Sequence, residues 1–105
     1  MKFYKLAKVE VEPDNPAVVF LQEDGFRLPN NFGLDLVVYR ADNKVWYVVE
    51  LVSGSAIGSG GTRTKAVQNF IDNITRLGVE GIRKATDKSI ELYGKSPTYK
   101  VTEVL

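Results

Sequence analysis

The 105-residue sequence contains neither cysteine nor histidine. Without cysteine the chain can form no disulfide and no thiolate metal site. Without histidine it lacks the commonest general base, the Ser-His-Asp and Cys-His catalytic arrangements, and imidazole-bound zinc. Any catalysis would therefore depend on carboxylates, Lys, Arg, Tyr, amides and a hard cation held by oxygen ligands.

Long apolar runs and a strong net charge are also missing. No apolar run approaches the roughly 20 residues of a membrane-spanning helix, and the first residues show no signal-peptide pattern. The formal net charge is only +1, so composition gives no strong electrostatic case for nucleic-acid binding. With 44% hydrophobic and 26% charged residues, the composition predicts one globular domain over residues 1–105.

Alternating apolar and polar residues, or runs rich in Val, Tyr and Trp, predict strands at 2–12, 17–22, 34–40, 45–51 and 98–104. Turns are predicted at 13–16 and 94–97, and the glycine-rich segment 53–61 predicts a mobile loop. Apolar residues at helical spacing predict a helix over 64–77, capped by Thr62 or Thr64 and ended by Gly78, and a second helix over 79–93. The expected class is α/β (α+β), with a mixed β-sheet built on a central antiparallel hairpin and one or two amphipathic helices packed on it.

The central hairpin carries one acid in each of its apolar strands, Asp35 and Glu50. If the loop at Asp42 and Asn43 has an even number of residues, Asp35 faces Glu50, with the side chains about 5 Å apart. Two half-buried carboxylates at that separation repel each other, so a cation or a shared proton would be expected to relieve them. Two alternatives stay open: another register, or acids that lie in water at the strand ends.

The order of motifs between Asn31 and Leu77 is also informative. A glycine and an acid open one strand (Gly33 and Asp35), an acid ends the next strand (Glu50), and a glycine-rich segment precedes a helix that bears a glutamine. In these motifs the chain resembles the PD-(D/E)XK nuclease superfamily. Among its branches the chain is most similar to the small C-terminal nuclease toxins of contact-dependent growth inhibition systems.

This resemblance implies a hydrolase that cleaves phosphodiester bonds with a metal ion. Asp35 and Glu50 would be catalytic residues and would hold Mg²⁺, or alternatively Mn²⁺ or Zn²⁺. Gln68 would match the glutamine that lies near the site on the following helix. The lysine of the superfamily is expected two residues after Glu50, where this chain has Val52.

A basic residue at the start of the helix would then have to replace the missing lysine. The sequence Thr62-Arg63-Thr64-Lys65 offers Lys65 or Arg63 for this role, and its hydroxyl and guanidinium groups for phosphate binding. Lys65 can act only if the helix N-terminus lies against the open end of the hairpin.

The resemblance also implies a biological setting. The chain would be the toxin domain of a larger secreted protein, delivered into the cytoplasm of a target bacterium. Its substrate would be transfer RNA or another RNA in preference to DNA, and a cognate immunity protein would block its site.

The missing lysine and the small net charge favour an alternative, a non-catalytic binding module. This would be an immunity-type partner protein or a nuclease fold that has lost its activity. A third hypothesis is a structure-specific DNA resolvase, which would be expected to dimerise.

Overall fold

The protein folds into two antiparallel sheets and a broken helix in a computed structural model that describes residues 1–12 and 15–97. The small sheet pairs β1 (Lys2–Glu12) with β2 (Asn15–Asp24). The larger sheet contains β3 (Phe26–Arg27), β4 (Leu36–Arg40), β5 (Trp46–Glu50) and β6 (Ser55–Gly60), neighbours in chain order, and α1 (Arg63–Tyr93) follows. The α+β class and the central hairpin are confirmed. The predicted strand at 98–104 and part of the predicted turn at 13–16 lie outside the described residues.

The larger sheet is covered on both faces because successive side chains of a strand point to opposite sides. On one face, Leu36, Val38 and Val48 are buried against α1, together with Phe70 and Ile82. On the other face, a second apolar cluster includes a residue of β1 and consists of Phe3, Val37, Tyr39, Val49 and Leu51. The domain therefore has three layers, with the β4–β5 hairpin in the middle.

The predicted mobile loop at 53–61 is wrong, because most of it forms strand β6, which pairs with β5. Its glycines allow close packing. An ideal Cβ on Gly60 would lie 2.6 Å from the backbone nitrogen of Ala66 in α1, a separation at which something must shift. The glycines of this segment therefore allow a tight contact between β6 and α1.

Helix α1 consists of two helical segments, as predicted. It begins after Thr62, whose hydroxyl oxygen accepts a hydrogen bond of 3.1 Å from the backbone N–H of Lys65. At Gly78 the backbone has φ 72° and ψ 165°, which interrupts the helix between 63–77 and 79–93. Within the described part of the chain, no helix has both the length and the apolar character that a membrane span requires.

Candidate functional site

The β4–β5 pairing does not have the predicted register. Leu36 faces Glu50 and Tyr39 faces Tyr47, so the pairing is shifted by one residue and Asp35 does not face Glu50. The shift arises in the turn, where the N–H of Ala41 donates to the carbonyl of Val45 at 2.9 Å and leaves a three-residue loop. An odd loop with a residue at positive φ is a common hairpin connection, and here Lys44 has φ 68°.

When the pairing shifts by one residue, the side chains of one strand move to the opposite face relative to those of its partner. Glu50 lies on the face that α1 covers, where its partner Leu36 belongs to the helix-side cluster. Asp35 directly precedes β4 and alternates with Leu36. Its position therefore corresponds to the face that β1 covers. The side chain of Asp35 is 49% exposed and accepts a hydrogen bond of 3.4 Å from the guanidinium of Arg27.

Glu50 is only 4% exposed, and its carboxylate is engaged with the backbone of the next turn. One oxygen accepts a hydrogen bond of 2.5 Å from the N–H of Val52, and the other accepts one of 3.1 Å from the N–H of Ser53. The carbonyl of Glu50 accepts a further bond of 2.8 Å from the N–H of Gly54. Glu50 therefore holds the turn that brings the chain from β5 into β6.

The two acids nevertheless line one cleft at the open end of the hairpin. This cleft has a volume of about 210 Å³ and is bordered by the second half of α1, which contributes Arg83, Thr86 and Asp87. Arg83 Nη2 donates to the carbonyl of Gly33 at 3.3 Å, so the guanidinium is tied to the segment before β4. We call this group of residues the hairpin cleft.

Arg83 is not among the site residues that the sequence predicts. The available signal was its position on the helix. Arg83 directly follows the buried Ile82 and lies one turn before Asp87. Such flanking residues border the buried stripe of an amphipathic helix and can reach over its rim.

The predicted basic residues lie at the other end of the hairpin. Lys65 packs against Gly60, which pairs with Trp46 at the start of β5, whereas Glu50 is the last residue of β5. Arg63 lies beside Lys65 and is also exposed, and its guanidinium is stacked on the ring of Phe26. The condition for Lys65 to serve the acids, a helix N-terminus against the open end of the hairpin, is therefore not met.

The remaining predicted residues lie on the first turns of α1. Gln68 is exposed, and its amide donates to Asp72 at 3.0 Å. Thr62 caps the helix, and Thr64 is exposed in its first turn. None of the residues that line the hairpin cleft comes from this first part of α1. The structure thus brings Asp35 and Glu50 together with Arg83, and not with Lys65, Arg63 or Gln68.

The two predicted metal ligands of the hairpin cleft already have partners within the protein. Both oxygens of Glu50 already accept hydrogen bonds from backbone N–H groups, and Asp35 pairs with Arg27. Among the described residues, no group of three or more Asp, Glu, His or Cys side chains is placed to hold a metal. Magnesium in proteins prefers an octahedral shell of oxygen ligands, which these side chains do not offer in their present arrangement.

No protein-family model, no curated protein sequence and no solved structure matches the chain.

Proposed function

We propose that the protein is a non-catalytic binding module. The observation that carries this proposal is the use of Glu50. Its buried carboxylate accepts hydrogen bonds from the N–H groups of Val52 and Ser53, so it supports the turn between β5 and β6. A carboxylate held in this way stabilises the fold through charge-assisted hydrogen bonds and is not directed at a substrate.

The positions of the basic residues support the same function. In a phosphodiesterase a cation near the metal-binding acids neutralises charge on the phosphate. Lys65 and Arg63 lie at the turn end of the hairpin, while Asp35 and Glu50 lie at its open end. The proposed binding module has two forms that use a surface for binding alone. One is an immunity-type partner protein, and the other is a nuclease fold without activity.

The test is incubation of the purified protein with total RNA and with plasmid DNA, in Mg²⁺ or in a chelator. We expect no metal-dependent cleavage, and the same result for wild type, Asp35→Ala and Asp42→Ala. Asp42 is a matched control because it is an exposed acid in the hairpin turn. Cleavage that needs Mg²⁺ and is lost in Asp35→Ala but kept in Asp42→Ala would overturn the proposal.

Thermal melting gives an independent readout. A ligand that binds the folded state at 100 times its Kd stabilises that state by about 2.7 kcal/mol. We expect no change in Tm on addition of Mg²⁺ or Mn²⁺. A rise that saturates with metal and disappears in Asp35→Ala would show a metal site and contradict the binding module.

A metal-dependent nuclease is the second candidate, and the hairpin cleft is the observation that favours it. The cleft gathers Asp35, Glu50 and Asp87 with Arg83, which would supply the positive charge that the resemblance assigns to a lysine. A toxin role, an RNA or transfer-RNA substrate in preference to DNA, and a cognate immunity protein belong to this candidate. It requires that Arg83→Gln abolishes cleavage while Lys84→Gln, its exposed neighbour on α1, does not.

A further inference from the structure

An exposed aromatic ring lies beside the middle of β4, on the face of the sheet that α1 covers. Phe26, on the outer strand β3, is 57% exposed, and the guanidinium of Arg63 lies 5.1 Å from the centre of its ring. Single exposed apolar side chains are common on protein surfaces, so the informative feature is the cation–π contact, which sets a guanidinium plane beside an exposed ring.

Two further cations share this face of the sheet. Arg40 pairs with Trp46, and Trp46 pairs with Gly60, so these residues form one row across β4, β5 and β6. Lys65 lies over the end of that row, because an ideal Cβ on Gly60 would be 2.7 Å from the Cβ of Lys65. We call the group formed by Phe26, Arg40, Arg63 and Lys65 the Phe26 surface.

Arg40 and Phe26 lie on the same side of the sheet. Phe26 pairs with Val38, and paired residues share a face. Arg40 follows Val38 by two residues and therefore lies on that face as well. Both Arg40 and Lys65 are exposed, so their charges are available to a ligand.

The Phe26 surface carries three positive charges although the whole chain carries only +1. Asp24, two residues before Phe26, pairs with the N-terminal amine at 3.6 Å. The first turn of α1 contains no acid. Asp42 lies in the hairpin turn, where Lys44 carries the opposite charge. The acids Asp35, Glu50 and Asp87 line the hairpin cleft at the open end of the hairpin. These three acids thus lie apart from the cations of the Phe26 surface, and Arg27 and Arg83 lie beside them.

We propose that the Phe26 surface binds single-stranded nucleic acid. Cations that follow a phosphate backbone and aromatic or guanidinium planes on which bases stack are the two elements of single-strand recognition. Arg40, Arg63 and Lys65 supply the first, and Phe26 with the Arg63 plane supplies the second. The bases of a duplex are already stacked on each other, so an exposed ring favours single strands. This inference rests on the binding-module function and names its ligand.

The experiment measures anisotropy of short fluorescein-labelled oligouridine and oligothymidine with the full chain, in EDTA and at low salt. We expect binding that weakens as salt is raised, because phosphate contacts release counterions. Loss of one stacked base corresponds to about 5- to 150-fold weaker binding, so we expect that change in Phe26→Ala and an affinity close to that of the wild type in Phe26→Trp. Arg63→Gln should also weaken binding and reduce the salt dependence.

Matched controls lie on the second half of α1, away from the Phe26 surface. Leu92 is 63% exposed, so Leu92→Ala removes an exposed apolar side chain of similar accessibility. Lys88→Gln removes an exposed positive charge. Both controls should bind like the wild type, and melting curves should show that every variant is folded.

Three outcomes would overturn the inference: no binding at low salt, equal affinity of wild type and Phe26→Ala, or equal affinity for single strands and for polyglutamate.

The oligonucleotide recovered from each mixture is also run on a gel after incubation with Mg²⁺ in place of EDTA. A cleaved strand would contradict the non-catalytic function and leave the surface assignment standing. An intact strand that does not bind would contradict the surface assignment alone.

Discussion

Gly58 and Phe70 are in such close contact that an ideal Cβ on Gly58 would lie 2.8 Å from the Cβ of Phe70. Both residues are buried in the layer between β6 and α1. We therefore predict that Gly58→Ala lowers the free energy of unfolding by about 1–3 kcal/mol, because the helix must move away from the strand. Urea unfolding followed by circular dichroism measures the change.

Gly61 is the matched control for this substitution. An ideal Cβ on Gly61 would meet nothing within 4 Å. Gly61→Ala should therefore leave stability within about 0.5 kcal/mol of the wild type. Equal losses in the two variants would show that backbone freedom, and not the contact with Phe70, accounts for the glycine at position 58.

The same contact explains why β6 could not be predicted from sequence. The hydrophobic periodicity of α1 and the alternation in β1 are local signals, and the elements they predict are confirmed. The segment Ser55–Gly60 has no such local signal, because its glycines are required by the helix that packs on them. Tertiary packing overrides local propensity in this strand.

The register of the hairpin was missed for a different reason. A two-residue loop needs positive φ within Asp42 and Asn43, whereas the three-residue loop has it at Lys44, a residue type that seldom adopts it. The length of this loop decides whether Asp35 or Leu36 faces Glu50. The strands were thus predictable from composition, whereas the relation between the two acids depended on the conformation of the loop.

Glu50 should prove essential for stability whatever the protein binds. Glu50→Ala removes the acceptor for two backbone N–H groups beside a buried turn, so we predict a loss of about 1–3 kcal/mol or more in the free energy of unfolding. Glu50→Gln keeps one oxygen acceptor and should lose less. Both losses should be the same with and without Mg²⁺.

Asp35 provides the comparison for Glu50. Its ion pair with Arg27 is about half exposed, and such pairs contribute roughly 0–1 kcal/mol. Asp35→Ala should therefore change stability little. If Asp35→Ala is as destabilising as Glu50→Ala, the two acids act together and the separate roles assigned to them are wrong.

Alkaline pH should destabilise the domain through Tyr39 and Lys5. Burial raises the pKa of Tyr39. Burial opposes the charged form of Lys5, but hydrogen bonds and charges from Tyr39 and Glu23 outweigh it, so the pKa of Lys5 is raised as well. In both cases the folded state holds its proton more tightly than the unfolded state, whose tyrosine and lysine titrate near pH 10. This stability is present below about pH 10 and is lost as pH rises through the folded pKa values.

Urea unfolding at several pH values between about 8 and 11 measures this loss. Tyr39→Phe removes one titrating group and also one of the causes of the raised pKa of Lys5. Its stability should therefore fall less steeply with pH than that of the wild type. A wild-type stability that is constant or rises over this range would contradict the assignment.

The free edge of β6 is covered by two asparagines of α1. Asn69 Oδ1 accepts a hydrogen bond of 3.0 Å from the N–H of Ser59, and Asn73 Nδ2 donates one of 3.0 Å to the carbonyl of Ile57. Among the described strands, β6 is the outer strand on this side of the larger sheet. Outer strands with unpaired backbone groups pair readily with other chains, so the two side chains take the place that another strand would occupy.

The double variant Asn69→Ala, Asn73→Ala should therefore self-associate more strongly than the wild type at equal concentration, as measured by sedimentation velocity. It should also lose about 1–3 kcal/mol in the free energy of unfolding, since two backbone groups lose their partners. Gln68→Ala is the control, because this exposed amide bonds to Asp72 and does not reach the sheet. If the double variant sediments like Gln68→Ala, the edge of β6 does not pair with other chains when the asparagines are removed. Water then replaces the two amides, and their role is only to fix α1 on β6.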